Sequence, residues 1–274
     1  LTWDATCGES RDRSSLDLPG VQEELLRAVL ATGTPVVLVL VAGRPCGSVD
    51  AHERCAAVVG AWIPGDEGAA AITDVLSGAV NPGGKLPVSF PRTAGHIPVY
   101  YRQKRSGGRS HWKGDYVDAA VSPMYPFGHG LSYTSFELTA SNPAPATIGH
   151  DGEVTVTATL TNTGSRDGDE VVQLYTRDPR ASVTRPVLEL KAFARVSVAA
   201  GARRTVTFTL HAGQLGFYDR QHRYVVEPGD IEVHIGTSVA ELHHAGTFTI
   251  ATSNGAVEVD KVFDAEVRVS APDG

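Results

Sequence analysis

The residue best placed to do chemistry is Glu9, in the polar stretch Gly8-Glu9-Ser10-Arg11-Asp12-Arg13-Ser14-Ser15-Leu16-Asp17-Leu18-Pro19-Gly20. A carboxylate flanked by small residues, on a loop that runs into a rigid helix, can reach into a cleft without being buried in its own domain. Such a group can donate and retrieve a proton. Read from local composition alone, the same stretch is also a solvated connector whose acids lie before a helix N-terminus. A second concentration of chemistry lies between Pro91 and Gly130. There Tyr100, Tyr101, Trp112 and Tyr116 alternate with Arg102, Lys104, Arg109, His111, Lys113 and Asp115. Flat apolar faces interleaved with hydrogen-bond donors suit a sugar ring, and Arg109, His111 and Trp112 are the candidates for its rim. Basic and aromatic residues together also suit a nucleic acid, but here the basic residues are few and confined to one loop.

The chain has 274 residues, 42% of them apolar and 20% charged, which is a globular composition long enough for two ordinary domains. Its net charge of −7 and the absence of any long basic run argue against a nucleic-acid backbone or an anionic membrane surface as partner. Neutral substrates fit better. No apolar run is long enough to span a bilayer. Cys7, Cys46 and Cys55 cannot all pair with one another and form no C-x-x-C spacing, so free thiols are expected; these lean towards the cytoplasm without settling the compartment, a secreted protein being the alternative. His243 and His244 are adjacent in a strand-like stretch, where neighbours point to opposite faces, and no metal site is predicted. No cofactor is predicted either: neither G-x-G-x-x-G nor a P-loop follows the strands, which disfavours a flavodoxin-like nucleotide-binding protein.

The elements that would hold these groups change character along the chain. Val21, Leu25, Leu26, Val29 and Leu30 recur at helical spacing up to Gly33, with Pro19 suited to the first turn. Thr34–Ala42 and Ala56–Trp62 are β-branched apolar runs of the kind found in strands covered on both faces. A helix over Ala69–Leu76 should end at Gly78. Asn81-Pro82-Gly83-Gly84 should then turn the chain into a strand over Lys85–Phe90. The expectation is an α/β sandwich with a partial, mostly parallel sheet and flanking helices. From Ser135 the period becomes two. Short alternating segments at 136–138, 153–160, 170–175, 188–193, 204–210 and 231–235 are separated by turn residues, the pattern of an immunoglobulin-like sandwich. The predicted domains are therefore 1–134 and 135–250, with one further strand and a tail in 251–274.

With these residues laid out, the chain resembles the C-terminal half of the family 3 glycoside hydrolases, the β-glucosidase and β-xylosidase family. Five segments carry the resemblance in order: Gly8 to Arg13 with Leu16 to Gly20; Val36 to Pro45; Ala61 to Gly68; Asn81 to Pro91; and Tyr125 to Phe136, the junction into a fibronectin type III-like domain. The resemblance implies a retaining β-glycosidase acting on terminal β-D-glucosyl or β-D-xylosyl residues, with Glu9 as general acid/base. Retention needs two carboxyl groups about 5–5.5 Å apart. The family's nucleophilic Asp comes from an N-terminal (β/α)8 barrel that 274 residues of this pattern cannot contain. The chain, which opens Leu1-Thr2-Trp3, is thus expected to be a fragment or split subunit, inactive without that barrel. Arg11 and Arg13 would favour the ionised form of Glu9, so its tuning as an acid is expected only with the barrel docked. The alternative is a non-catalytic carbohydrate-binding or structural fragment.

Overall fold

The computed structural model describes residues 9–104 and 114–271. They divide into two compact units. The first comprises 9–80, 89–99 and 114–125, and the second 81–88, 100–104 and 126–271.

In the first unit the order is α1 (Gln22–Leu30), β1 (Val37–Leu40), α2 (Val49–Arg54), β2 (Ala57–Gly60) and α3 (Gly68–Ser77). Helix α1 begins three residues after Pro19, because Gly20 takes φ +62°, outside the helical region. Glu23 and Glu24 in its first turn and Arg27 in its last complement the helix dipole. Ser48 caps α2 by accepting the Ala51 N–H on its hydroxyl, and Gly78 ends α3 in the left-handed region. Leu18, Leu26, Leu40 and Ala51 form a small core. Only part of the apolar pattern of α1 points into it. Val21, Leu25 and Val29, four residues apart, remain 72%, 64% and 41% exposed.

The expectation of a mostly parallel sheet is corrected here. β1 and β2 do pair in parallel, Val37 opposite Ala57 and Leu40 opposite Gly60, but they form a two-stranded sheet. Lys85–Phe90 does not join it as a strand. Pro87 supplies no N–H to a ladder, and the segment makes local antiparallel bonds instead. Leu86 N–H donates to the His129 carbonyl and Gly128 N–H to that of Leu86, each at 2.8 Å, while Phe90 bridges Tyr125.

The second unit is a β-sandwich whose pairing is predominantly antiparallel. β3 (Phe136–Ala140), β5 (Glu153–Asn162), β8 (Arg203–His211) and β14 (Glu266–Val269) make one sheet in the order β14-β8-β5-β3. β4 (Thr147–Ile148), β6 (Gly168–Arg177), β7 (Glu189–Val198), β11 (Gly229–Ser238) and β12 (Glu241–Ile250) make the other, ordered β4-β12-β11-β6-β7. β9 (Phe217–Tyr218), β10 (Tyr224–Val226) and β13 (Val257–Glu258) form a small third sheet. Alternation explains the core: in β5, Val154, Val156, Ala158 and Leu160 are fully buried while the intervening threonines face outward, and Val206, Phe208 and Leu210 answer from β8. The stretch expected as a tail contributes β14, with Glu266 opposite Thr209 and Val269 opposite Val206.

Candidate active site

Glu9 and Ser10 form a turn at the exposed start of the described chain, Ser10 taking φ +60°. The loop behind them is pinned at successive points. Arg44 Nη2 donates to the Arg11 carbonyl at 2.7 Å. Arg13 donates through Nε to the Ser15 carbonyl and through Nη2 to that of Asp17, so it is engaged within its own loop. Gly47 N–H donates to the Leu16 carbonyl at 2.7 Å, and Leu18 is anchored in the core.

The carboxylate of Glu23 joins this loop to α2. Its Oε1 accepts the N–H groups of Leu18 at 3.5 Å and Ser48 at 3.2 Å, and its Oε2 accepts the Ser48 hydroxyl at 3.3 Å. The arrangement leaves one carboxyl group at the open end of a loop held by core packing and directed hydrogen bonds. Such a group can exchange a proton with something brought to it. The sequence singled out Glu9 but not Glu23, whose only visible signal was an acid in a helix first turn.

At the end of β2, Trp62 takes φ +53° and meets Phe90 edge-on, with ring centroids 6.0 Å apart. Phe90 and His52 both contact Tyr125, at 5.8 Å and 5.5 Å. Trp62 therefore supports the sheet end. Burial pushes the thiols of Cys46 and Cys55 and the phenol of Tyr125 upward, so none of the three is ionised near neutral pH.

Arg109, His111 and Trp112 lie outside the described residues. The flanks of their loop are tied down: Arg92 Nε donates to the Ser122 carbonyl, His96 Nε2 to the Val121 carbonyl at 2.7 Å, and Val121 N–H to Asp115 Oδ1 at 2.8 Å. Two of the loop's tyrosines are packing residues. Tyr116 lies edge-on to His96, and Tyr101 stacks on Phe127 at 4.4 Å. Among the described residues no three His, Cys, Asp or Glu side chains converge to hold a metal ion.

In the second unit the segment from Asn81 to Val88 and the junction residues Pro126 to Phe136 are structural partners. Asn81 Oδ1 accepts the Ser132 hydroxyl and the Tyr133 N–H, and its Nδ2 donates to the Asp167 carbonyl at 2.9 Å. Lys85 Nζ, nearly buried, pairs with Glu170 at 2.9 Å and donates to the Gly130 carbonyl. Gly130 has to be glycine, because a Cβ there would collide with the Gly84 backbone.

Two known families match the chain. Residues 1–133 match the glycosyl hydrolase family 3 C-terminal domain, and residues 170–239 match the fibronectin type III-like domain. The chain is 41% identical over 248 residues to a periplasmic beta-glucosidase of Salmonella typhimurium, and 42% identical over 233 residues to a beta-xylosidase of Formosa agariphila. The alignments take in 88% and 85% of this chain and 32% of each relative, so the chain spans about a third of the length of the curated relatives it matches. Among solved structures, a beta-glucosidase from Listeria innocua in complex with glucose superposes with a TM-score of 0.82 at 39% identity, over 89% of this chain and 34% of that one. The chain therefore belongs to glycosyl hydrolase family 3, as its C-terminal domain followed by a fibronectin type III-like domain.

Proposed function

We propose that this chain is the acid/base-bearing part of a retaining β-glycosidase that releases terminal β-D-glucosyl or β-D-xylosyl residues. The β-glucosidases and β-xylosidases it resembles support the substrate class. The observation that carries the catalytic reading is the exposure of Glu9 on a loop fixed by Glu23, Arg13 and Leu18. In the first half-reaction Glu9 gives its proton to the glycosidic oxygen while a nucleophilic carboxylate attacks the anomeric carbon. In the second it takes a proton from the water that releases the sugar. The nucleophile is assigned to an N-terminal (β/α)8 barrel outside this chain, and the rim of the sugar site to Arg109, His111 and Trp112. Residues 1–134 serve as the C-terminal α/β sandwich domain with 91–130 as its active-site loop, 135–250 as the fibronectin type III-like domain, and 251–274 as an additional strand and tail.

The test uses the full-length protein. Glu9→Gln is expected to lower kcat/KM for an unactivated β-glucoside by about 10²–10⁴-fold. It should leave the first step on 2,4-dinitrophenyl β-glucoside nearly intact, because that leaving group departs without protonation, and added azide should restore its turnover. Unchanged hydrolysis of the unactivated substrate would remove Glu9 from the mechanism.

A further inference from the structure

The β-sandwich unit contains an open cavity of about 480 Å³ that the reading of Glu9 does not use. Its size lies within the range of small-molecule sites. Five cationic side chains line it, Arg102, Lys104, Arg185, Lys191 and Lys261, against the single carboxylate of Glu189. Arg185 is the most deeply set. Its side chain is 7% exposed, Nη2 pairs with Glu189 at 2.6 Å, and the guanidinium lies 4.5 Å from the centre of the Phe217 ring. Its Nη1 is buried without a hydrogen-bond partner, an uncommitted donor in a wall already short of negative charge. Glu189 is shared, since Lys191 Nζ approaches it at 3.5 Å while donating to the Gln214 carbonyl at 2.8 Å. Among the described residues, neither Arg102, Lys104 nor Lys261 makes an ion pair with a carboxylate.

Aromatic surface accompanies the charge. Lys261 Nζ stands 5.9, 5.5 and 5.2 Å from the ring centres of Tyr218, Tyr224 and Phe263. Tyr224 is immobilised, its hydroxyl donating to the Gly213 carbonyl and its ring lying where a Cβ on Gly216 would have to be. Tyr218 and Phe263, by contrast, are 59% and 75% exposed, a large apolar area to leave in water on either side of one ammonium group.

We propose that this cavity binds a saccharide carrying a carboxylate, its sugar ring lying on Tyr218 or Phe263 and its carboxylate meeting Lys261 and the neighbouring cations. Flat rings receive the C–H face of a pyranose, and the cations beside them can pair with a carboxylate carried on that ring. Glu9 is not among the residues that line the cavity, and the proposal stands independently of its role.

Two probes that differ only at C6, methyl β-D-glucuronide and methyl β-D-glucoside, test the proposal by titration calorimetry on the full-length protein. The glucuronide is expected to bind, and Lys261→Gln to weaken it about tenfold, one order of magnitude in the dissociation constant. Lys261→Arg should retain binding, and Lys261→Gln should leave both glucoside binding and aryl-glucoside hydrolysis unchanged. Lys261 is exposed, so the variant's melting midpoint should match the parent's and exclude misfolding. Absence of glucuronide binding, or binding indifferent to Lys261→Gln, would overturn the proposal. Displacement of the glucuronide by equal concentrations of acetate or inorganic phosphate would reduce the site to one for simple anions and overturn its saccharide specificity.

Discussion

Asn81 Oδ1 accepts the backbone N–H of Tyr133 at 2.7 Å, across 52 positions of sequence. The same side chain holds the Ser132 hydroxyl and donates to the Asp167 carbonyl, so one amide joins three segments of the β-sandwich unit. The Asn-Pro-Gly-Gly turn is thus the fastening of the sandwich's entry strand as well as a change of direction.

Replacing Asn81 by Ala removes three hydrogen bonds and leaves no side chain to substitute for them. The expected cost is about 1–3 kcal/mol of unfolding free energy, measured by urea denaturation. Asn81→Asp should lose less, because it keeps the acceptor for Tyr133 and Ser132 and gives up only the donor to Asp167.

Glu23 holds the Glu9 loop to α2 through Leu18 and Ser48. Glu23→Ala should lower kcat/KM on unactivated β-glucosides in the full-length protein by about tenfold, with kcat falling more than KM changes. The loss should be smaller than that of Glu9→Gln. A loss equal on activated and unactivated substrates would mean that the loop positions something other than a proton donor.

Asp169 accepts the Ser197 hydroxyl at 2.6 Å and Arg195 Nε at 2.9 Å, and these bonds hold its carboxyl below the ordinary value of 3.8. A depressed folded pKa stabilises the protein above the unfolded value and loses that contribution as pH falls through the folded one. Ser197→Ala should therefore raise the Asp169 pKa, seen by NMR titration. It should lower stability at neutral pH, and the difference between the two proteins should shrink as pH falls through the folded pKa of Asp169.

Val21, Leu25 and Val29 present an apolar stripe on α1 that the described residues leave exposed. In the 274-residue chain, Leu25→Glu should change stability by no more than about 0.5 kcal/mol. In a full-length protein whose further segments cover α1, the cost should rise to about 2–3 kcal/mol, as expected for a buried, unpaired charge. Equal small effects in both would show that the stripe faces solvent throughout.

Much of the sandwich was legible in the chain because its signal is local. Thr-Val-Thr-Ala-Thr-Leu at 155–160 states which face is buried without reference to any partner, and the inward residues are those with no exposure at all. Glu9 was singled out for a different reason, its setting among ordered family segments. What periodicity could not give was the partner of each apolar face. An unbroken β-branched run reads the same in a wide parallel sheet as in a pair of strands, and among the described residues Val37–Leu40 pairs with Ala57–Gly60 alone. The helical spacing of α1 likewise did not reveal that Leu26 turns inward while Leu25 turns out.

The sequence by itself determined the alternation of the sandwich strands and the helix stop at Gly78, because each depends on residue type within a short window, and it pointed to the family, and through it to Glu9 as the candidate acid, by the order of five separated segments. Tertiary structure alone decided that Glu23 would secure the Glu9 loop, that Asn81 would reach Tyr133, and that Arg185 and Lys261 would line one cavity though 76 positions apart. Those relationships rest on hydrogen bonds and charges brought together across long loops. Their energies depend on distance in space, which no pattern of neighbouring residue types encodes.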